Sequence, residues 1–102
     1  MKRIYKYPLE VTDQQYVDLP VGAQILSVQM QSQPAWKMRA ENTQPHLWAL
    51  VDDAETMRCF RNVEMVGTGQ PTGHIEFDLF DFISTIQMQD GRLILHVFIS
   101  KE

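Results

Sequence analysis

The residue types that could do chemistry in this 102-residue chain are few and scattered. The segment Gly67-Thr68-Gly69-Gln70 has the composition of a turn whose backbone N–H groups can hold a phosphate. A dinucleotide fingerprint would need a third glycine where Thr72 stands and a helix after it, whereas Pro71 indicates a loop. A plain tight turn between strands is the alternative. The hypothetical site for a small anionic ligand comprises Gly67, Thr68, Gly69, Gln70 and Arg58.

The metal-ligating and nucleophilic side chains show no functional spacing. His46, His74 and His96 form no His-x-x-x-His pair, and Cys59 is the only cysteine. A thiol nucleophile needs a base that the sequence does not place beside it, so Cys59 is expected to be a small buried hydrophobe. We therefore expect no catalytic residue, no bound metal and no cofactor, and the chain is not predicted to be an enzyme.

A large aromatic residue stands out in the polar stretch from residue 33 to residue 44. Trp36 is followed by Lys37 and Arg39, a combination that can anchor a partner protein or stack on a base. In the alternative interpretations the indole folds back over the core as a lid or packs against another subunit. Trp36, Lys37 and Arg39 are the predicted partner-binding residues.

Charge and composition exclude several classes of protein. Thirteen acidic residues and nine basic ones give a net charge of −4, and the basic residues are dispersed, which disfavours binding to nucleic acid. No apolar run has the length of a membrane span, and the N-terminus lacks the apolar stretch of a signal peptide. With no cysteine pair to form a disulfide, a cytoplasmic location is expected.

The strongest structural signal is a hairpin near the end of the chain. Asp90-Gly91, a favoured type I′ turn dipeptide, separates the apolar stretches 82–89 and 92–100. Counting outward from this turn predicts the cross-strand pairs Met88 with Leu93, Ile86 with Leu95, Ser84 with Val97 and Phe82 with Ile99. In this register the row Leu93, Leu95 and Val97 faces the interior.

Five further segments read as strands: 4–9, 16–19, 23–31, 46–51 and 56–66. In the third, Leu26, Val28 and Met30 are predicted to face the core, and 46–51 is apolar on both faces, as in an inner strand. Residues 76–81 are either a helical turn or an extension of the next strand. The chain is thus predicted to be one mainly β domain over residues 1–102. It would form a small antiparallel β-sandwich or half-open barrel of six to seven strands, with a loop or flap at 32–45.

Three segments resemble a family of small uncharacterised bacteriophage and prophage proteins. They are 2–9 (KRIYKYPL), 19–29 (LPVGAQILSVQ) and 47–52 (LWALVD) leading to 66–69 (VGTG). The resemblance extends over most of the chain. It implies a phage or prophage setting inside a host bacterial cell and a compact β fold, but no activity.

These observations predict a non-enzymatic phage or prophage accessory protein that acts by binding. Its expected partners are a host protein or a small anionic ligand, and it is a candidate homo-oligomer. One alternative is an anti-defence protein that sequesters a nucleotide signal or blocks a host defence protein. Another is a minor virion or assembly component.

Overall fold

The computed structural model describes residues 1–32, 43–89 and 91–101, which form seven strands and one short 3-10 turn. The predicted small antiparallel β-sandwich is confirmed, and it is not closed into a barrel. The elements are β1 (Lys2–Pro8), β2 (Gln14–Pro20), β3 (Gln24–Ser32), β4 (Thr43–Asp52), β5 (Arg58–Gly67), the 3-10 turn (Phe77–Leu79), β6 (Phe80–Met88) and β7 (Leu93–Ser100).

The strands form two antiparallel sheets. One has three strands in the order β1-β4-β3, and the other has four in the order β2-β5-β7-β6. β4 is the central strand of its sheet, as its two-sided apolar sequence predicts. Pro8 ends the edge strand β1, where the missing N–H breaks no ladder hydrogen bond inside the sheet.

The core lies between the two sheets and is built from every second residue of their strands. The row on β7 that was predicted to face inward does so, since Leu95 and Val97 are buried and Leu93 packs against the core from its margin. The buried core residues are Leu9, Val17, Leu19, Val28, Leu47, Ala49, Val51, Val63, Met65, Ile86, Met88, Leu95, Val97 and Ile99.

The β6–β7 hairpin follows the predicted register from the turn as far as Ser84 and Val97. An irregularity between Phe82 and Ser84 then adds one residue to β6, so that Phe82 pairs with Phe98. The predicted pairing of Phe82 with Ile99 is therefore wrong, because a β-bulge shifts every pair beyond it by one residue. Gly91 has a φ of 83°, as the turn prediction requires, while Asp90 lies outside the described residues.

A second irregularity affects β3. The pairing with β4 shifts between Ile25 and Ser27, and Leu26, which occupies the bulge, is exposed. The prediction that Leu26 faces the core together with Val28 and Met30 is thus wrong for Leu26. Val28 is fully buried and Met30 packs at the margin of the core.

One serine joins the two sheets along one side of the sandwich. The Ser84 hydroxyl on β6 accepts a hydrogen bond from the Val28 amide of β3 at 3.1 Å and donates one to the Val28 carbonyl at 2.7 Å. It thereby satisfies two backbone groups on the edge of β3 that is not paired with another strand. On the other side, β1 and β2 are edge strands of different sheets.

Both ends of the predicted loop or flap at 32–45 belong to strands. β3 continues through Ser32 and β4 begins at Thr43, while residues 33–42 lie outside the described part of the chain. The predicted partner-binding residues Trp36, Lys37 and Arg39 fall in that range. Of the two alternatives for 76–81, the helical turn is found at Phe77–Leu79, and β6 starts directly after it.

No helix within residues 1–32, 43–89 and 91–101 has both the length and the apolar character needed to cross a bilayer.

Candidate binding face

The outer face of the four-stranded sheet carries an unusual number of exposed aromatic side chains. Phe60 on β5 and Tyr16 on β2 are 67% and 65% exposed, and Phe82 on β6 is more than half exposed. All three lie on the opposite side of their strands from the core residues, because successive side chains alternate between faces. We define the aromatic patch as Tyr16, Phe60, Phe77, Leu79, Phe80, Phe82 and Phe98.

Edge-to-face contacts order part of this patch. The Phe98 ring lies 5.4 Å from the Phe77 ring and 5.5 Å from the Phe82 ring between centroids, with interplanar angles of 66° and 65°. This geometry is the favoured one for aromatic pairs. The bulge in β6 is what sets Phe82 opposite Phe98, so the irregularity that the sequence did not reveal helps to build the patch.

A shallow groove of about 400 Å³ lies within the patch. Tyr16 and Phe60 form one part of its wall, and Leu79 and Phe80 form another. Asn62, Ser100 and Lys101 supply its polar lining. A mostly apolar groove with a few polar groups has the character of a site for a side chain of a binding partner.

The rim of the patch is acidic. Arg58 Nε lies 3.1 Å from Asp18 Oδ1, and Lys101 Nζ lies 3.9 Å from Asp81 Oδ1, so each of these basic groups faces a carboxylate. Glu76 directly before the 3-10 turn and Asp78 within it are exposed and form no ion pair within the described residues. Two unpaired carboxylates thus remain at this edge.

A second feature of the same face is a cavity of about 450 Å³. We call it the Glu64 cavity. It lies between the start of β2, the second half of β5 and the 68–79 connection. Its lining residues are Asp13, Gln14, Glu64, Met65, Val66, Gln70, Pro71 and His74.

Glu64 is an unusual residue for this position, since it is only 6% exposed on an outer sheet face. Its strand neighbours across the sheet are Gln14 and Phe98, and His74 Nε2 lies 3.9 Å from its Oε2. Burial raises the pKa of Glu64 above its ordinary value of 4.5, His74 opposes this shift, and Asp13 adds to it. A carboxylate is therefore held in a dehydrated place beside a second carboxylate.

Comparison with known protein families gives one match, which covers the whole chain. The profile of DUF7352, a domain of unknown function, matches residues 1–102. The chain belongs to the DUF7352 family. No match to it was found among curated proteins or among solved structures.

In this DUF7352 domain, the predicted anion-binding turn is closed by its own hydrogen bonds. The Gln70 amide donates to the Gly67 carbonyl at 3.1 Å, and the Gln70 side-chain oxygen accepts from the Gly67 amide at 2.7 Å. Gly69 has a φ of 85°, which only glycine adopts without strain. An anion at Gly67 would first have to displace the Gln70 side chain.

The remaining predicted ligand residues do not converge on that turn. Arg58 begins β5 and Gly67 ends it, which places them roughly 30 Å apart along an extended strand. Thr68 Oγ1 lies 2.8 Å from His96 Nε2, and Thr85 Oγ1 lies 2.9 Å from His96 Nδ1, so the imidazole bonds to both hydroxyls. Binding of an anionic ligand stays a prediction.

In the DUF7352 domain, the side chains of His46 and Cys59, considered above as metal ligands or nucleophile, form contacts within the fold. His46 is buried, shares a 3.0 Å hydrogen bond with the Gln44 carbonyl and packs against the Trp48 ring. Cys59 is half-buried and donates a weak hydrogen bond to the Phe60 carbonyl. Across the described ranges, no three histidine, cysteine, aspartate or glutamate side chains converge closely enough to hold a metal ion.

Sequence reasoning missed both features of this face. The aromatic patch draws its members from β2, β5, the 3-10 turn, β6 and β7, so no local spacing reveals it. Glu64 carries a weak signal, because it is the one charged residue in the stretch 63–66, which otherwise reads Val, Met and Val. A charged residue inside a buried strand generally has a role that explains its cost.

Proposed function

We propose that this DUF7352 protein is a non-enzymatic binding protein that engages another protein through the aromatic patch. The observation that carries the proposal is that five large apolar side chains on one sheet face are each about half exposed or more. They are Tyr16, Phe60, Phe77, Leu79 and Phe82. Contiguous apolar surface of this kind marks interaction sites on soluble proteins. Aromatic residues in and around a groove are also the residues that dominate binding energy at protein interfaces.

The chemistry of the rim favours a partner different from the chain itself. Glu76 and Asp78 give the edge of the patch an acidic excess, and the whole chain carries a net charge of −4. Two copies meeting through this face would bring like charges together, which opposes association. The partner we propose has an apolar surface bordered by lysine or arginine.

The proposed setting is a bacterial cell that carries the phage or prophage, and the proposed partner is a host protein. The support for this setting is the sequence resemblance to small phage and prophage proteins. Blocking a host defence protein is one form that such binding would take. A virion or assembly role would instead place a phage protein on the same patch.

The test compares a patch variant with a matched variant on the other sheet. Phe60→Ser removes a 67% exposed aromatic ring, and Ile4→Ser removes a 60% exposed aliphatic side chain from β1. A partner captured by the wild-type protein from host cells is purified, and its Kd is measured by calorimetry for all three proteins. We expect Phe60→Ser to weaken binding at least about 30-fold, as for an interface hot spot, and Ile4→Ser to leave it unchanged.

Two results would overturn the proposal. Equal affinity of wild type and Phe60→Ser for the purified partner would remove the patch from the interface. Sedimentation equilibrium provides the second, independent check. A dimer of the wild-type protein at micromolar concentration that Phe60→Ser dissociates would show that a second copy, and not a basic partner, occupies the patch.

A further inference from the structure

The Glu64 cavity is lined by a carboxylate that receives no hydrogen bond from the described residues. Glu64 is 6% exposed, yet its carboxylate makes no hydrogen bond within the described residues, and its nearest basic atom is His74 Nε2 at 3.9 Å. In the same part of the chain, every completely buried side-chain oxygen or nitrogen has a hydrogen-bond partner. The Glu64 oxygens are therefore not sealed off, and they reach the cavity that this residue lines. Buried carboxylates are normally paired, so this one lacks the donor that would stabilise it.

The charges around the cavity select a cationic guest. Asp13 lines the same cavity and repels the charged form of Glu64, while His74 is the only lining residue that can become positive. A bound cation would relieve both the repulsion between the carboxylates and the loss of hydration at Glu64. A phosphate or other anion would add to the repulsion.

The shape and lining of the cavity narrow the cation to an organic group. Among the described residues, Asp13, Glu64 and His74 do not come close enough to share a metal ion. The remaining lining residues are the apolar Val66 and Pro71 and the amide-bearing Gln14 and Gln70, together with Met65, whose side chain packs in the core on the other face. An arginine-like guest presents an apolar stem and a planar fork of N–H donors, which pairs with a carboxylate through two parallel hydrogen bonds.

We infer that the Glu64 cavity is a binding site for a guanidinium group, with Glu64 as its principal acceptor and Asp13 as a second anionic contact. The guanidinium belongs either to a small metabolite or to an arginine side chain of a protein. This inference does not depend on the function proposed for the aromatic patch, because none of the patch residues lines this cavity.

The test is a titration of the ¹⁵N-labelled protein with N-acetyl-L-arginine amide at pH 8. The expected result is saturable shifts of the amide signals of residues 64–66 and 70. N-acetyl-L-citrulline amide, a neutral isostere, serves as the control ligand and is expected to bind at least tenfold more weakly. Equal binding of the two probes, or no saturable shift with the arginine probe, would overturn the inference.

Variants identify the acceptor. Glu64→Gln keeps the size of the side chain and is expected to weaken arginine-probe binding at least tenfold, and Asp13→Asn is expected to weaken it less. Asp53→Asn, which removes an exposed carboxylate in the turn after β4 of the other sheet, is the control and should bind like wild type. Should Glu64→Gln fail to fold, Asp13→Asn carries the test, because Asp13 is exposed in a turn before β2. Unchanged binding by a folded Glu64→Gln, or by Asp13→Asn if that variant alone is folded, would contradict the site.

A comparison of ligands separates the two sources of the guanidinium. A site for a protein side chain accepts the blocked N-acetyl-L-arginine amide at least as well as free L-arginine, whereas a metabolite site that reads the amino and carboxyl groups prefers the free amino acid by tenfold or more. Either ranking supports the cavity as a guanidinium site. Phe60→Ser should retain the binding of the arginine probe, so failure of this inference and failure of the proposed function are told apart.

Discussion

The two faces of the four-stranded sheet use similar residues for different ends. On the inner face, Val63, Val97 and Ile99 are completely buried against the opposite sheet. On the outer face, Phe60 and Phe82 are more than half exposed, although Phe60 lies on the same strand as Val63 and Phe82 lies on β6, which pairs with β7. The contrast teaches that apolar character predicts burial only when a second layer covers the face. Where none does, the same character predicts a surface for binding.

The largest expected loss of stability comes from a substitution on the inner face. Ile99→Ala removes a fully buried side chain from β7, and we expect it to lower the free energy of unfolding by about 2–5 kcal/mol, because it leaves a cavity in the core. Urea denaturation measures this change. Phe82→Ala is the control on the outer face and is expected to cost less, about 1 kcal/mol, since more than half of the side chain stays exposed and no core cavity forms. Equal losses for the two variants would abolish the distinction between the faces.

A smaller loss of stability is expected when the hydrogen bonds that join the four-stranded sheet to the three-stranded sheet at β3 are removed. Ser84→Ala removes both hydrogen bonds to Val28 and leaves its amide and carbonyl without these partners. We expect the variant to lose about 1–3 kcal/mol in the free energy of unfolding, the usual cost of a partly buried polar group left unpaired. Thr85→Ala, which removes an exposed hydroxyl that bonds to His96 on the outer face, should cost less. Loss of the same amount from both variants would show that the Ser84 bridge adds no specific stability.

The smallest expected effect is on the pH dependence of stability. It tests whether Glu64, unlike the exposed residues of the same outer face, is buried enough for its ionisation to affect folding. Burial raises the pKa of Glu64 above 4.5, so the folded protein binds this proton more tightly than the unfolded chain. The stability from the neutral carboxyl is complete below pH 4.5 and is lost as the pH rises through the raised folded value. We expect Glu64→Gln to remove this decline, and melting temperatures between pH 4 and pH 8 measure it.

Asp53 supplies a control with the opposite sign. Its hydrogen bonds to Arg3 and to the N-terminal amine hold its pKa below the ordinary value of 3.8. Its contribution is present above pH 3.8 and is lost as the pH falls through the lowered folded value. Asp53→Asn should therefore lower the melting temperature by a nearly constant amount between pH 4 and pH 8, without changing the decline assigned to Glu64. A Glu64→Gln protein that keeps the wild-type decline above pH 4.5 would show that Glu64 is not responsible for it.

Local pattern accounted for much of the fold. The turn around Gly91 and the alternation beyond it predicted the β6–β7 pairs correctly from Met88 to Ser84. The same counting failed past Ser84 and at Leu26, because each bulge inserts a residue that the local pattern does not mark. The five other predicted strands were found at their centres, and their observed ends differ from the predicted ones by one to three residues in either direction.

Local pattern accounted for little of the candidate binding face. The turn at Gly67–Gln70 was recognised from its glycines, but its side chains bond within the turn and to His96. The groups that now carry the proposals, Phe60 and Glu64, were not singled out, because their meaning depends on residues distant in the sequence. Glu64 is covered by a segment that includes His74, and Phe60 lies beside residues of β2 and the 3-10 turn.

The amino-acid sequence by itself determined that this protein is built from short antiparallel β-strands, since alternation, turn glycines and prolines act over a few residues and need no distant partner. It left a sandwich and a half-open barrel as alternatives. Only the tertiary structure decided which outer face stays bare and which carboxylate becomes dehydrated. Exposure depends on whether another layer packs against a given face, and dehydration depends on a connection folding over it. The physical reason is that both are set by contacts between segments far apart in the chain, whereas strand formation is set largely by neighbours.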